Sequence, residues 1–172
     1  MKVWLCLGAL ALAQSITAND PLAEFQDVQW ETYRDEARGF SFRYPYHWSS
    51  STNSQGQTVF YDFSSVFDAR VTVYARDRDP EEDLAGVARE AASQGWEGSI
   101  VSEKNIKLDG LPAYEVEFHW VLPAGERLTA VVRVVVVARE DEWLVFHGLD
   151  GRAADGFDKG AATVIYSVSF DK

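Results

Sequence analysis

The amino-acid sequence predicts an α+β fold, in which helices are inserted into a mostly antiparallel β-sheet. Three observations support this class. Many segments alternate apolar and polar residues at every second position, short turns join several of these segments as in hairpins, and two further segments have the pattern of helices. The chain has 172 residues, of which the first 18 form a separate segment, so that 172 − 18 = 154 residues remain. That length is typical of one domain.

The N-terminal segment has the pattern of a secretory signal peptide. Lys2 is followed by the apolar run "VWLCLGALALA" and then by polar residues that end in the small Ala18. This order of a positive, an apolar and a small-residue region predicts cleavage after residue 18. The apolar run is about half of the roughly 20 residues that span a bilayer, so we expect no stable membrane insertion.

Cleavage would leave residues 19–172 as a single domain without cysteine. The chain contains one cysteine, Cys6, and it lies inside the apolar run. The mature protein is therefore expected to have no disulfide and no thiol chemistry. A secreted or periplasmic location follows from the signal peptide.

The first strands are predicted from period-two patterns. "WETYRDEARGFSFRYP" predicts a hairpin in which Phe40, Phe42 and Tyr44 face one side, and Pro45 ends the second strand because it has no amide hydrogen. "SSSTNSQGQ", residues 49–57, predicts a polar surface loop. "TVFYDFSS" and "ARVTVYARDR" predict two further strands.

The clearest helix signal follows these strands. Asp79 is expected to cap the helix, with Pro80 at its first position and Glu82 completing a capping box. The positions that follow mark one apolar face, and a glycine offers a stop: Leu84, Val87, Ala88, Ala91 and Gly95.

The second half of the chain predicts four longer strands, "SIVSEKNIKL", "AYEVEFHWVL", "RLTAVVRVVVVARE" and "EWLVFHGL". A helix near residues 155–166 and a short last strand follow. In the hairpin around "PAGE", one register matches the apolar faces. It pairs Val116 with Val134, Phe118 with Val132, Trp120 with Ala130, Glu117 with Arg133 and His119 with Val131. The valine run 131–137 indicates a central strand that is covered on both sides.

This register brings together residues that allow two interpretations. Glu115, Glu117, His119 and Arg133 converge, which is the requirement for an acid–base or ligand-binding site. The other interpretation is structural, with Glu117 neutralising an otherwise costly buried Arg133. Both interpretations stay open from the sequence alone.

The charge of the chain constrains its partners. Without Lys2 the chain has 15 basic residues against 27 acidic ones, a net charge of −12. Such a surface repels nucleic acid and attracts basic proteins or cations, although solubility alone would also explain it. The candidate binding residues are three acids of "RDRDPEED" and the two residues after Pro45, namely Glu81, Glu82, Asp83, Tyr46 and His47. Further acids lie in "REDE" at 139–142.

Motifs for catalysis or cofactors are not recognised in the sequence. The histidines, His47, His119 and His147, stand apart in the sequence and lack the two-His spacing of a zinc protease. The Gly-x-Ser-x-Gly motif of hydrolases and the glycine patterns of nucleotide-binding loops do not occur. We therefore predict neither a cofactor nor a bound metal.

Four segments resemble one family in order and spacing. "GFSFRYPYHW", "LDGLPAYEVEF", "EWLVFHGL" and "VIYSVSF" are similar to the strands of PsbP-like proteins, the extrinsic photosystem II subunit and its bacterial relatives. The resemblance implies a central antiparallel sheet sandwiched between helices. It also implies that Pro45 turns the chain off its strand and that Trp48 packs against the core.

The resemblance implies a non-catalytic role in binding or assembly outside the cytoplasm. Combined with the charge, it predicts a module that engages a basic protein through an acidic surface. Two alternatives remain, an enzyme that uses Glu115, Glu117 and His119, and a protein that binds a small ligand or a divalent cation. PsbP-like proteins have been associated with divalent cations, but their ligands have no match in this sequence.

Overall fold

The computed structural model describes residues 28–62, 69–79, 81–94, 97–121, 129–153, 156–157 and 160–171. The predicted signal peptide lies outside these residues and stays a prediction, and so does the predicted stop at Gly95. Pro80 also lies outside them, but the helix begins at Leu84, so the prediction that Pro80 is its first residue is wrong. In the part of the chain that the structure describes, no helix is long and apolar enough to cross a membrane.

The described elements are mainly strands. In chain order they are β1 (Trp30–Asp35), β2 (Phe40–Pro45), β3 (Ser49–Thr52), β4 (Thr58–Tyr61), β5 (Arg70–Asp77), α1 (Leu84–Ser93), β6 (Gly98–Leu108), β7 (Leu111–Val121), β8 (Thr129–Ala138), β9 (Glu142–Asp150), β10 (Arg152–Ala153), β11 (Gly156–Phe157), α2 (Gly160–Tyr166) and β12 (Ser169–Phe170).

Seven strands form the main sheet in the order β3-β4-β5-β9-β8-β7-β6, and every neighbouring pair is antiparallel. A smaller sheet has the order β1-β2-β12, and β10 pairs with β11. Short connections join β3 to β4, β6 to β7 and β8 to β9, and this connectivity favours antiparallel pairing. The predicted antiparallel sheet is confirmed.

The predicted register of β7 and β8 is also confirmed. Val116 lies opposite Val134, Glu117 lies opposite Arg133, and the other predicted pairs follow in step. β8 lies between β7 and β9, so its alternating valines reach both faces of the sheet. Val132, Val134 and Val136 pack in a core with α1, whereas Val135 and Val137 pack in a core with α2.

The two faces of the main sheet are covered differently. α1 covers one face through Val87, Ala88, Ala91 and Ala92. The other face is covered by α2 and also by the small sheet, whose phenylalanines pack on the main sheet: Phe40, Phe42 and Phe170. The expected sandwich between helices is therefore only partly right, because a second sheet supplies much of one cover.

The segment "GFSFRYPYHW" is part of this cover. Phe40 and Phe42 are each 1% exposed, and their rings contact neighbouring aromatic rings of the core. β2 ends at Pro45, whose carbonyl accepts a 2.9 Å bond from the Trp48 amide. That turn returns Trp48 to the core, where it is 7% exposed. The predicted roles of Pro45 and Trp48 are confirmed.

The start of α1 differs from the prediction. Asp83, with φ −96° and ψ 156°, is the N-cap, and its carboxylate accepts a 2.5 Å bond from the Gly86 amide. Asp79 instead accepts a 2.9 Å bond from the Glu81 amide in a separate turn before the helix. Glu82 bonds to Arg76 on β5 rather than back to a cap. Both aspartates have capping chemistry, and Asp83 is the one that the helix uses.

Two other boundaries need correction. Ser49–Thr52, expected to be loop, forms strand β3 at the edge of the main sheet, and its side chains are exposed. The last helix begins at Gly160 rather than near residue 155. Asp150 accepts a 2.8 Å bond from the Ala161 amide at its start. Gly148 permits the close packing of α2, because a Cβ there would lie 2.9 Å from Ile165 Cδ1.

Candidate functional site

Ionisable side chains gather on the α2 face of strands β6, β7 and β8. β7 contributes Glu115, Glu117 and His119, which share a face because strand side chains alternate. Neighbouring elements add three more residues, and we call the whole set the polar cluster: Lys104, Glu115, Glu117, His119, Arg133 and Tyr166.

Glu115 is the most buried member of the polar cluster, with 2% of its surface exposed. One of its oxygens lies 3.1 Å from Lys104 Nζ, and the other accepts a hydrogen bond from the Tyr166 hydroxyl. Burial and this hydrogen bond raise the pKa of Tyr166 well above its ordinary value. Tyr166 therefore keeps its proton and holds the end of α2 against β7.

Glu117 has two partners. Arg133 donates a hydrogen bond to one carboxylate oxygen, and His119 Nε2 lies 3.3 Å from the other. Burial acts to raise the pKa of Glu117, but the hydrogen bond and the charge of Arg133 outweigh it, so the pKa is lowered. Burial likewise acts to lower the pKa of Arg133, but Tyr166 and the carboxylates raise it overall. The pair therefore stays ionised.

The contacts within the polar cluster limit its chemistry. A general base is most effective when its pKa lies near the working pH, and the pKa of Glu117 is shifted away from neutrality. Glu115 is in contact with a cation and a hydroxyl donor. The cluster has the groups of an acid–base site, but both of its carboxylates are occupied by structural contacts.

His147 lies on the other face of the main sheet. It is next to Thr72 on β5 and Val134 on β8. Burial, and then the charge of Arg70, lower the pKa of His147 to about 4, so it is neutral at physiological pH. Among the described residues, no group of three His, Cys, Asp or Glu side chains is arranged to hold a metal ion.

A second group of carboxylates gathers at one end of the main sheet. The end of β5 pairs with the start of β9, so that Asp77 lies opposite Glu142. Beyond this pair, the Arg78 amide donates a 3.3 Å hydrogen bond to the Asp141 carbonyl. The acidic segments 76–83 and 139–142 are thus adjacent. We call their exposed carboxylates the acidic end: Asp77, Asp79, Glu81, Glu140 and Asp141.

The arginines near the acidic end have other partners. The Arg78 guanidinium lies 4.8 Å from the centre of the Trp143 ring, and the Arg139 guanidinium lies 5.8 Å from the centre of the Phe170 ring. Arg76 forms ion pairs with Glu82 and Glu90. These contacts direct the positive charges towards rings and towards other acids, so the carboxylates of the acidic end face solvent.

The residues predicted to bind a partner have different environments. Glu81 is exposed, Glu82 is half-buried against Arg76, and the Asp83 carboxylate caps α1. Tyr46 is 56% exposed, and its ring centre lies 5.8 Å from that of His47. His47 Nε2 in turn lies 3.5 Å from Asp62 Oδ2.

The structure does not bring these residues into one site. Asp62, the partner of His47, bonds to Ala69 just before β5, whereas Glu82 bonds to Arg76 near the end of β5. The seven residues from Arg70 to Arg76 are separated by six steps of about 3.3 Å and so span roughly 20 Å. Tyr46 and His47 therefore lie near one end of β5, and Glu81, Glu82 and Asp83 lie near the other.

Two members of the polar cluster were missed from the sequence. Lys104 lies directly opposite Glu115 in the β6–β7 register. Extending the period-two pattern across the "DGLP" turn would have found it, because that turn sets the register. Tyr166 had no signal of this kind, because it reaches Glu115 across 51 positions of sequence through the packing of α2.

Comparison with known proteins agrees with this architecture. A sequence model of the PsbP family matches residues 28–146. A search of curated protein sequences gives no significant match. The solution structure of cyanobacterial PsbP (CyanoP) from Synechocystis sp. PCC 6803 has a TM-score of 0.61 and 17% identity, covering 95% of this chain and 99% of that one.

Two crystal structures also share the fold. LpqN, involved in cell envelope biogenesis of Mycobacterium tuberculosis, has a TM-score of 0.52 and 15% identity, covering 87% of this chain and 94% of that one. A protein of Bacteroides thetaiotaomicron VPI-5482 has a TM-score of 0.53 and 14% identity, covering 84% of this chain and 49% of that one. With the family match extending over more than half of its length, this chain belongs to the PsbP family.

Proposed function

We propose that this protein is a secreted or periplasmic, non-catalytic module that binds another protein, and that the acidic end is the contact surface. One observation carries this proposal. Two acidic segments that are far apart in the sequence meet at one end of the main sheet, while Arg78 and Arg139 lie against aromatic rings. The partner is expected to present Lys and Arg side chains.

Electrostatics gives the physical reason. Exposed like charges within one Debye length, about 8 Å at physiological ionic strength, add to a common negative potential. Such a potential speeds the encounter with a positively charged partner, and salt weakens the effect. The strong excess of acidic over basic residues, 27 against 16 in the whole chain, adds to the same field.

Membership of the PsbP family supports a binding role, and the predicted signal peptide supports a site of action outside the cytoplasm. LpqN, which shares the fold, is described as involved in cell envelope biogenesis. These likenesses agree with a binding module of the envelope.

The residues of the enzymatic alternative are in contact, but their contacts do not suit general-base catalysis. Glu117 bonds to Arg133 and lies next to His119, and its pKa is lowered rather than raised. These features favour an ion pair that stabilises the fold. An activity of the purified protein that is lost on His119→Ala, with the fold intact, would establish the enzyme instead.

Affinity capture from the native envelope fraction at low ionic strength tests the binding role. The test variant combines Glu81→Gln with Asp141→Asn. The control combines Glu31→Gln with Glu97→Gln, which changes the net charge equally at exposed positions outside the acidic end. We expect the same protein to be captured by the wild type and the control but to be strongly reduced with the test variant.

The association rate with the captured partner should fall about tenfold from low to physiological ionic strength. A rate that does not depend on salt, or equal capture by both variants, would exclude the acidic end as the contact surface.

A further inference from the structure

The two edges of the main sheet differ in length and in surface. β3 at one edge has four residues, whereas β6 at the other has eleven, almost all of them exposed. Among the described residues, β6 hydrogen-bonds to a neighbouring strand, β7, on one side only. A long edge of this kind presents N–H and C=O groups that another strand can pair with.

The regular part of this edge is its second half. The register of β6 shifts between Ile100 and Ser102, as at a β-bulge, and Ile100 and Val101 are 40% and 47% exposed there. A bulge bends the strand and interrupts its pairing pattern. From Ser102 to Leu108 the register is uninterrupted, so this part of the edge is suited to pair with a further strand.

We propose that β6 pairs antiparallel with β6 of a second copy of this chain, with a two-fold axis at Asn105. In such a symmetric dimer the same strand is used by both molecules. Residues directly opposite each other then lie on the same face of the continuous sheet. Glu103 lies two residues before Asn105, and Lys107 lies two residues after it. The axis therefore places Glu103 of each copy opposite Lys107 of the other, which gives two oppositely charged pairs.

The charges of β6 disfavour other symmetric registers. An axis at Glu103, Lys104 or Lys107 would place a charge opposite its own copy, and like charges directly opposite each other are destabilising. An axis at Ile106 would place Glu103 opposite Asp109, again with like charges. An axis at Ser102 would make Ser102 face itself and would place Glu103 opposite the bulged Val101. Asn105 is thus the position that combines regular pairing with complementary charge.

Glu103 is already fixed as a carboxylate at this edge. Arg89 of α1 donates hydrogen bonds of 2.6 and 3.0 Å to its two oxygens. The hydrogen bond with Arg89 lowers the pKa of Glu103, although burial acts in the opposite direction. Lys107 is exposed on the same strand, so its ammonium group is accessible to a second molecule.

The net negative charge of the chain does not oppose this pairing strongly. The acidic end lies at the end of β5 and just before the start of β9, and β9 is separated from β6 by β7 and β8. Strands are spaced by about 4.8 Å, so each acidic end lies roughly 14 Å or more from the proposed axis. Two such ends in a dimer are separated by roughly 30 Å, several Debye lengths at physiological salt.

Analytical ultracentrifugation over a concentration series tests the dimer. We expect wild-type protein to dimerise reversibly and Lys107→Glu, which places Glu opposite Glu103, to raise the dimer dissociation constant at least tenfold. The control is Arg43→Glu, which makes the same charge change on the small sheet and should leave dimerisation unchanged. A monomer at all concentrations, or equal effects of the two variants, would overturn the proposal.

Disulfide trapping tests the register with the full chain carrying Cys6→Ser. Asn105→Cys should cross-link readily, because opposite residues of paired strands have Cα atoms about 5 Å apart, within disulfide range. Lys107→Cys should not cross-link, because its two copies are separated by four residues along the strands. Faster cross-linking of Lys107→Cys would exclude the Asn105 axis.

Edge pairing with a different protein instead of a second copy would also overturn the proposal. Neither test depends on the acidic end.

Discussion

The polar cluster and the acidic end both take carboxylates from adjacent antiparallel strands, but their carboxylates have opposite environments. In the polar cluster, Glu115 and Glu117 are bonded to Lys104, Tyr166 and Arg133. At the acidic end, the carboxylates face solvent and the nearby arginines lie against rings or other acids. The number of carboxylates therefore does not distinguish the polar cluster from the acidic end, whereas the partners of those carboxylates do.

The largest expected effect on stability comes from mutation of the ion pair between Glu117 and Arg133 in the polar cluster. Glu117→Gln leaves Arg133 without its charged partner, and we expect a loss of about 2 kcal/mol in the free energy of unfolding. Glu117→Gln with Arg133→Met removes both charges and should lose less. Chemical denaturation measures both values, and a double variant less stable than the single one would contradict the structural role.

The same pair should give stability a distinct pH dependence. The folded-state pKa of Glu117 lies below the ordinary value of 4.5. Its stabilising contribution is therefore fully present above pH 4.5 and is lost as the pH falls through the lower, folded-state value. The difference in stability between wild type and Glu117→Gln should therefore shrink over that acid range in denaturation curves.

The variant that combines Glu81→Gln with Asp141→Asn provides the comparison for this pH effect. The two carboxylates that it replaces are exposed, so we expect the variant to keep close to wild-type stability throughout that acid range. A stability loss as large as that of Glu117→Gln would mean that the acidic end is paired like the polar cluster.

The smallest expected effect distinguishes two acids within the segment 76–83. Asp83→Ala removes the cap of α1 and should cost about 1 kcal/mol. Glu81→Ala removes an exposed carboxylate of the acidic end and should change stability by less than about 0.5 kcal/mol. Thermal unfolding of both variants measures the contrast. Equal losses of stability would mean that Asp83 is not the cap of α1, in agreement with the cap predicted from the sequence at Asp79.

Several features of the fold could be predicted from the sequence because they depend on local periodicity. The alternation in β7 and β8 was sufficient to predict the register, since a shift by one residue would move Glu117 to the apolar α1 face and Val116 to the face of the polar cluster. Pro45 marked the end of β2 because it lacks an amide hydrogen. The family resemblance rested on these same strands and turns.

Other features were not accessible for a physical reason. Ser49–Thr52 has no apolar face, so only its pairing with β4 shows that it is a strand. Asp79 and Asp83 have the same capping chemistry, and the ion pair between Glu82 and Arg76 accompanies the later start of α1. Sequence patterns report local preferences, whereas these outcomes depend on neighbours that are distant in the chain.

The sequence by itself determined the alternating strands, the paired faces of β7 and β8, the acidic character and the family. Only the tertiary structure decided that Tyr166 reaches Glu115, that the segments 76–83 and 139–142 meet, and that Arg78 and Arg139 lie against rings. The reason is that strand periodicity is written into consecutive residues. The direction of a charged side chain depends on which element packs beside it.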